Sequence, residues 1–168
     1  HHKSNGFRDN AYLQRDDTNN RNETAIRGKL NWSVNDDWTV RVSALFSDID
    51  DGYDAFAIDN SLTMLSDNPG KDTQRSAGAA IRTEWSGSER FSFTSITSAA
   101  DSDATYSFDG DWGNADAWAP FTYDYFSSNA RQRTTISQEF RLASGTAGRL
   151  FDDSSDWLLG AYVMRLDE

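Results

Sequence analysis

Apolar and polar residues alternate strictly along several stretches of the chain. A period of two belongs to a half-buried β-strand, not a helix. From Thr24 to Val34, one face carries Thr24, Ile26, Gly28, Leu30, Trp32 and Val34, and the other Ala25, Arg27, Lys29, Asn31 and Ser33. Trp38, Val40, Val42, Ala44 and Phe46 oppose Thr39, Arg41, Ser43, Leu45 and Ser47. Ala77, Ala79, Ile81, Thr83 and Trp85 oppose Gly78, Ala80, Arg82 and Glu84. The run from Phe91 to Ala99 is softer, because Ile96 falls opposite Phe91 and Phe93. Thr134, Ile136, Phe140 and Leu142 share a face with the polar exception Gln138, and Trp157 to Arg165 is apolar on both faces. These runs predict six strands.

Connection lengths sort by side. Trp32 and Trp38 flank the tight turn Asn35-Asp36-Asp37, and Trp85 and Phe91 flank Ser86-Gly87-Ser88-Glu89. A third, looser turn covers Gly145 to Asp156. The opposite ends lead into long, acidic, aromatic segments: Asn5 to Asn22, Asp48 to Gln74 and Asp101 to Arg131. Short turns on one side, long loops on the other and aromatics at the short-turn ends describe an antiparallel barrel wall crossing a bilayer. The expected strand length, about nine to eleven residues, suits a tilted crossing; soluble strands average nearer five or six. A soluble sandwich produces the same alternation with its apolar face turned inward.

Composition is compatible with either. A hydrophobic content of 37% and mean hydropathy of −0.74 resemble a soluble domain, but a barrel escapes hydropathy because only alternate residues meet lipid. No apolar run reaches the length of a membrane helix. The absence of cysteine removes disulfide scaffolds and thiol chemistry. A net charge of −11 leaves no basic stripe for nucleic acid. The chain starts at His1-His2-Lys3 without a leader, and reads as an excerpt of a longer one whose first histidines could come from a tag.

Particular stretches carry a likeness to a family: SNGFRDN around Asn5 to Asn10, Asp16 to Asn20, GKLNWSVNDDWTV from Gly28 to Val40, and DIDDGYDAFAIDN from Asp48 to Asn60. TTISQEFRLAS from Thr134 to Ser144 and DWLLGAYV from Asp156 to Val163 complete it. By their order and spacing the chain resembles the barrel region of TonB-dependent outer-membrane receptors, most closely the iron-siderophore branch. The resemblance implies that residues 1–168 are part of a bacterial outer-membrane barrel of about 22 strands, with short turns in the periplasm and long loops outside. It further implies TonB-energised uptake of a scarce nutrient such as a ferric siderophore, not an enzyme. The plug and the TonB box that contacts TonB lie outside this chain, as does the closing terminal strand.

The long segment from Asp101 to Arg131 holds the strongest candidate for ligand contact. Tyr106, Phe108, Trp112, Trp118, Phe121, Tyr123, Tyr125 and Phe126 crowd it, interleaved with Asp109, Asp111, Asp116 and Asp124. Large aromatics in a loop either pack together or meet a ligand. Trp112, Trp118, Phe121, Tyr123 and Tyr125 are the expected contacts, with the two tryptophans as flat platforms. Asp48 to Asp54 has the acidic spacing of a calcium loop, but its glycine is one position early and Asp59 stands where glutamate belongs. A solvated acidic loop is the simpler reading there, and turn chemistry the simpler one for Asp101, Asp103, Asp109 and Asp111. Neither a metal nor a cofactor is expected. Glu84 and Glu139 each lie near an arginine and read as charge networks, not a glycosidase pair. Histidine occurs only at His1 and His2, so no Ser-His-Asp arrangement or imidazole haem ligand is available. Two other readings remain open: a secreted soluble β-sandwich binding carbohydrate through loop aromatics, and a passive porin-like wall.

Overall fold

The computed structural model describes residues 1–168. The strands are β1 (His2–Ser4), β2 (Asp9–Asn10), β3 (Arg21–Ser33), β4 (Trp38–Tyr53), β5 (Thr63–Met64), β6 (Gly70–Trp85), β7 (Phe91–Asp109), β8 (Phe126–Ser144) and β9 (Leu158–Asp167). A one-turn helix α1 (Ala115–Trp118) precedes β8, and a short 3-10 turn covers Thr146–Gly148. Seven strands form one antiparallel sheet in the order β1-β3-β4-β6-β7-β8-β9. The sheet is open rather than closed into a barrel. β2 and β5 form a separate parallel pair.

All six expected strands are present, and two expectations about them need correction. The sheet gains a short seventh strand, β1, which pairs His2 with Glu23 and Ser4 with Arg21. Five of the six are also longer than nine to eleven residues: β3 has 13, β4 and β6 have 16 each, and β7 and β8 have 19, while β9 has 10. The extra length comes from polar segments such as residues 48–53 and 102–109, which the sequence pattern places in the long connections. Ladder pairing uses backbone groups, so it continues where apolar alternation stops. The long connections shrink to residues 54–69 and 110–125.

By contacts the chain divides into two units. One comprises His1–Ala25, Ser47–Ser76 and Ser102–Gln132; the other comprises Ile26–Phe46, Ala77–Asp101 and Arg133–Glu168. The first contains every buried residue of the chain, and its core is polar. Met64 is the sole buried apolar side chain, beside Asn10, Thr18, Asp51, Asp54, Ser66, Ser107, Asp109, Asp111 and Asn114. The Asp54 carboxylate accepts from Asn10 Nδ2 at 2.8 Å, Thr18 Oγ1 at 2.7 Å and Ser66 Oγ at 2.5 Å. Asp51 accepts from Arg21 at 2.7 Å and from the Asn22 N–H at 2.7 Å. Asp51 and Asp54 therefore depart from the solvated-loop reading of Asp48 to Asp54: they are internal staples. Asp48 to Tyr53 lies in β4 and has no calcium-loop geometry.

In the second unit no residue is buried. Ile26, Leu30, Ile81, Ile136 and Phe140 stand exposed on the alternating apolar positions. The opposite positions hold charges: Glu84 binds both Arg41 and Arg82, and Glu139 binds Arg141 at 2.5 Å. β8 and β9 run in register from Thr134↔Asp167 to Ala143↔Leu158, so Gln138 faces Val163 and Glu139 faces Tyr162. β9 carries apolar side chains on both faces and is exposed along its whole length. At the tight turns, Trp38 lies 6.3 Å from Trp85, and Trp85 lies 5.3 Å from Phe91, an unbroken aromatic row. Neither face of this sheet segment is buried within the chain.

The two kinds of charge site predict different costs. Asp54→Ala strands three donors in the polar core and should lower stability by about 3 kcal/mol or more, at 1–3 per unsatisfied group. Glu84→Ala breaks partly exposed ion pairs and should cost about 1 kcal/mol or less. Denaturant unfolding of the two variants checks the contrast.

Candidate functional site

The aromatic connection between β7 and β8 is built around one carboxylate. Asp111 Oδ1 accepts from the Gly113 N–H at 3.0 Å and from Trp118 Nε1 at 3.2 Å, while Oδ2 accepts from the Tyr125 N–H at 2.7 Å. The same indole N–H also reaches the Asp111 carbonyl. Asn114 caps α1 by accepting from the N–H groups of Asp116 and Ala117, and its Nδ2 donates to Leu65 O at 2.6 Å. Glycine is required at position 113: a Cβ there would stand 2.6 Å from Trp118 Nε1 and 3.0 Å from Ile58.

Four of the five expected contact residues come together. Tyr123 packs edge-on against Trp118 at 5.2 Å, stacks on Phe121 at 5.7 Å and lies 6.1 Å from Tyr125. Phe121, Tyr123 and Tyr125 are exposed, whereas Trp118 is half-buried. Trp112 stands apart. It stacks on Phe56 at 5.2 Å and 22°, from a different connection, and is 42% exposed. Its backbone is left-handed, φ 65°, which is uncommon for a bulky residue. Asp109 Oδ1 supports that conformation by accepting from the N–H groups of Asp111 and Trp112, each at 3.2 Å.

Residues outside the expected set belong to this surface. Phe56 contacts Tyr53 at 6.0 Å, and Tyr53 contacts Tyr106 at 5.0 Å. A hydrogen bond with Tyr53, then burial, pushes the Tyr106 hydroxyl up to about 12. The only sequence signal for Phe56 and Tyr53 was their place in an acidic aromatic stretch like the one around Trp112.

Charge concentrates in the same unit. It holds sixteen carboxylates against seven Lys and Arg side chains, or −9 of the chain's −11. Burial raises Asp67, with the charges of Asp111 and Asp124 adding to it. Burial also pushes Asp109 up to about 6, reinforced by the charges of Asp111 and Asp67 and opposed by the two N–H donors. No group of three or more His, Cys, Asp or Glu side chains forms a metal-ligand set. Comparison with family models, curated proteins and solved structures finds no match.

The two tryptophans should separate in experiment. Trp118→Ala removes the indole donor to Asp111 and the Tyr123 contact, and should cost roughly 2 kcal/mol of stability. Trp112→Ala should cost roughly 1 kcal/mol or less, the scale of one exposed stacked pair. Thermal unfolding of both variants tests this order.

A pH prediction follows from Asp109. A carboxyl raised from its ordinary 3.8 to about 6 in the folded state binds its proton more tightly folded than unfolded. Its stabilising contribution is complete below about pH 4 and lost as pH rises through about 6. Asp109→Asn should therefore stabilise the protein at pH 8 in EDTA-containing buffer, with the gain vanishing by pH 4. Unfolding curves at the two pH values check the sign.

Proposed function

We propose that the chain is part of the barrel wall of a TonB-dependent outer-membrane receptor that takes up a small iron chelate of the siderophore class. On this reading, the strand segments of the second unit cross the bilayer. Their apolar positions face lipid and their Arg41–Glu84–Arg82 face lines the lumen. The connections of the first unit form the external ligand-collecting surface.

The observation that carries this reading is the uncovered alternating face of the second unit. Ile26, Leu30, Ile81 and Ile136 are exposed on a sheet segment that buries nothing, beside the Trp38–Trp85–Phe91 row at the tight turns. In water such a face is an aggregation liability, whereas in a bilayer it is what a strand presents to lipid. Aromatic rows at strand ends match the headgroup region, where an apolar ring with a polar edge is best placed. The assignment of iron chelates rests on the sequence resemblance, and the exposed Phe121, Tyr123, Tyr125 and Trp112 supply flat surfaces for such a ligand.

Arginine substitutions in the full-length receptor test the lipid-facing assignment. Leu30→Arg or Ile81→Arg should cost roughly 2–4 kcal/mol near the midplane. Asn31→Arg, on the opposite face of the same strand, should cost far less. Equal losses in reversible unfolding from lipid would reject the assignment.

A further inference from the structure

The second unit carries a cavity of about 580 Å³ on its polar face. Arg27, Lys29 and Asn31 of β3, Arg41 and Ser43 of β4, and Arg82 of β6 line it, and no lining residue is acidic. The three strands are consecutive neighbours in the sheet. Four cations thus converge without a lining carboxylate, in a chain where Asp and Glu outnumber Lys and Arg by 27 to 16. Glu84 pairs with both Arg41 and Arg82, and Glu139 is taken by Arg141. Arg27 and Lys29 have neither an ion pair nor a side-chain hydrogen bond. Counting Glu84, the group keeps a charge of +3. Like charges on neighbouring strands of one face destabilise a sheet, and backbone pairing does not require them there.

We propose that this cavity binds a small multivalent oxyanion, a molecule bearing two or three carboxylate or phosphate groups. Neighbouring strands lie about 4.8 Å apart and alternate residues about 6.7 Å apart along a strand, so the patch measures roughly 7 by 10 Å. That spread suits several anionic groups on one molecule better than a single monovalent ion. Guanidinium forks grip carboxylate and phosphate oxygens through paired N–H donors. Lys29 adds a point charge, and Asn31 and Ser43 add neutral donors. The volume is that of a small-ligand site. Arg27 and Lys29 are the decisive donors, because Arg41 and Arg82 already share Glu84.

This inference stands on the geometry of the second unit and does not depend on the transport reading. Where that reading holds, the site faces the lumen and an anionic cargo would meet it there.

The test is isothermal titration calorimetry of the full-length protein in non-ionic detergent, with tricarballylate and pyrophosphate as probes and acetate as the monovalent control at matched ionic strength. The expected result is saturable binding of at least one probe and none of acetate; the tighter probe identifies the carboxylate or the phosphate class. Arg27→Gln/Lys29→Gln should weaken that binding about tenfold or more, because it removes two charge-assisted contacts. Arg133→Gln/Arg149→Gln removes the same charge from two paired arginines elsewhere in the unit, and its affinity should stay within about twofold. None of the four residues is buried, so folding should persist, as circular dichroism can verify. In parallel, the bound probe should raise the melting temperature of the unsubstituted protein more than that of Arg27→Gln/Lys29→Gln. Absence of saturable binding by either probe would overturn the proposal. So would unchanged affinity in Arg27→Gln/Lys29→Gln, or equal losses in the two double variants, which would reveal only a general charge effect.

Discussion

The first unit depends on the buried carboxylate of Asp54. Its three side-chain partners, Asn10, Thr18 and Ser66, lie 12 to 44 positions away in the chain. With one buried apolar side chain, Met64, hydrophobic burial cannot fix how these connections meet. Directional hydrogen bonds take over that role. A hydrogen bond in a low-dielectric interior is stronger than in water, and a missing partner costs correspondingly more. A polar core of this kind therefore tolerates few alternative arrangements, even where its net contribution to stability is modest. Asp51 repeats the device, joining the start of β3 to the end of β4 through Arg21 and Asn22.

The second unit poses the opposite problem. Its ladders satisfy the backbone, yet no side chain in it is buried, so most of the usual driving force for folding is unused in the isolated chain. The apolar positions are spaced for contact on one face, and β9 offers apolar residues on both faces and an unpaired edge. Such a surface needs a covering medium. Under the proposed reading lipid covers the alternating face and further strands pair with the edge. The ion pairs of Arg41, Glu84 and Arg82 then gain worth, because charge pairs are screened less when enclosed than when open to solvent.

The alternation of Thr24 to Val34, Trp38 to Phe46 and Ala77 to Trp85 was enough to read strand identity, order and the tight turns. Their outer limits were not legible. Asp48-Ile49-Asp50-Asp51 and Ser102-Asp103 look like solvated loop because strand pairing there rests on backbone groups that composition does not report. The aromatic cluster of Trp118, Phe121, Tyr123 and Tyr125 was legible as a local crowd of large rings within one connection. Its place in the chain puts Trp112 in the same crowd, but its stack on Phe56 depends on a contact between residues 56 positions apart. The roles of Asp54, Asp109 and Asp111 were hidden among chemically identical aspartates. What distinguishes them is burial and partner geometry, and both are tertiary properties.

Asp111 and Asp109 divide the labour of the aromatic connection in a way that bears on how it could recognise anything. Asp111 uses both oxygens on the loop itself, holding Gly113, Trp118 and Tyr125. Trp118 is thereby committed to architecture, and the rings of Phe121, Tyr123 and Tyr125 are displayed on a braced backbone. A braced platform loses less conformational freedom on binding, so more of each stacking contact appears as affinity. Asp109 is different, because only one of its oxygens is committed. Oδ1 supports the left-handed turn at Trp112, and Oδ2 has no hydrogen-bond partner. Whatever partners Oδ2 shares a carboxylate with the support of Trp112, so the two cannot be independent. The backbone support of Trp112 is thus tied directly to the ionisation of Asp109.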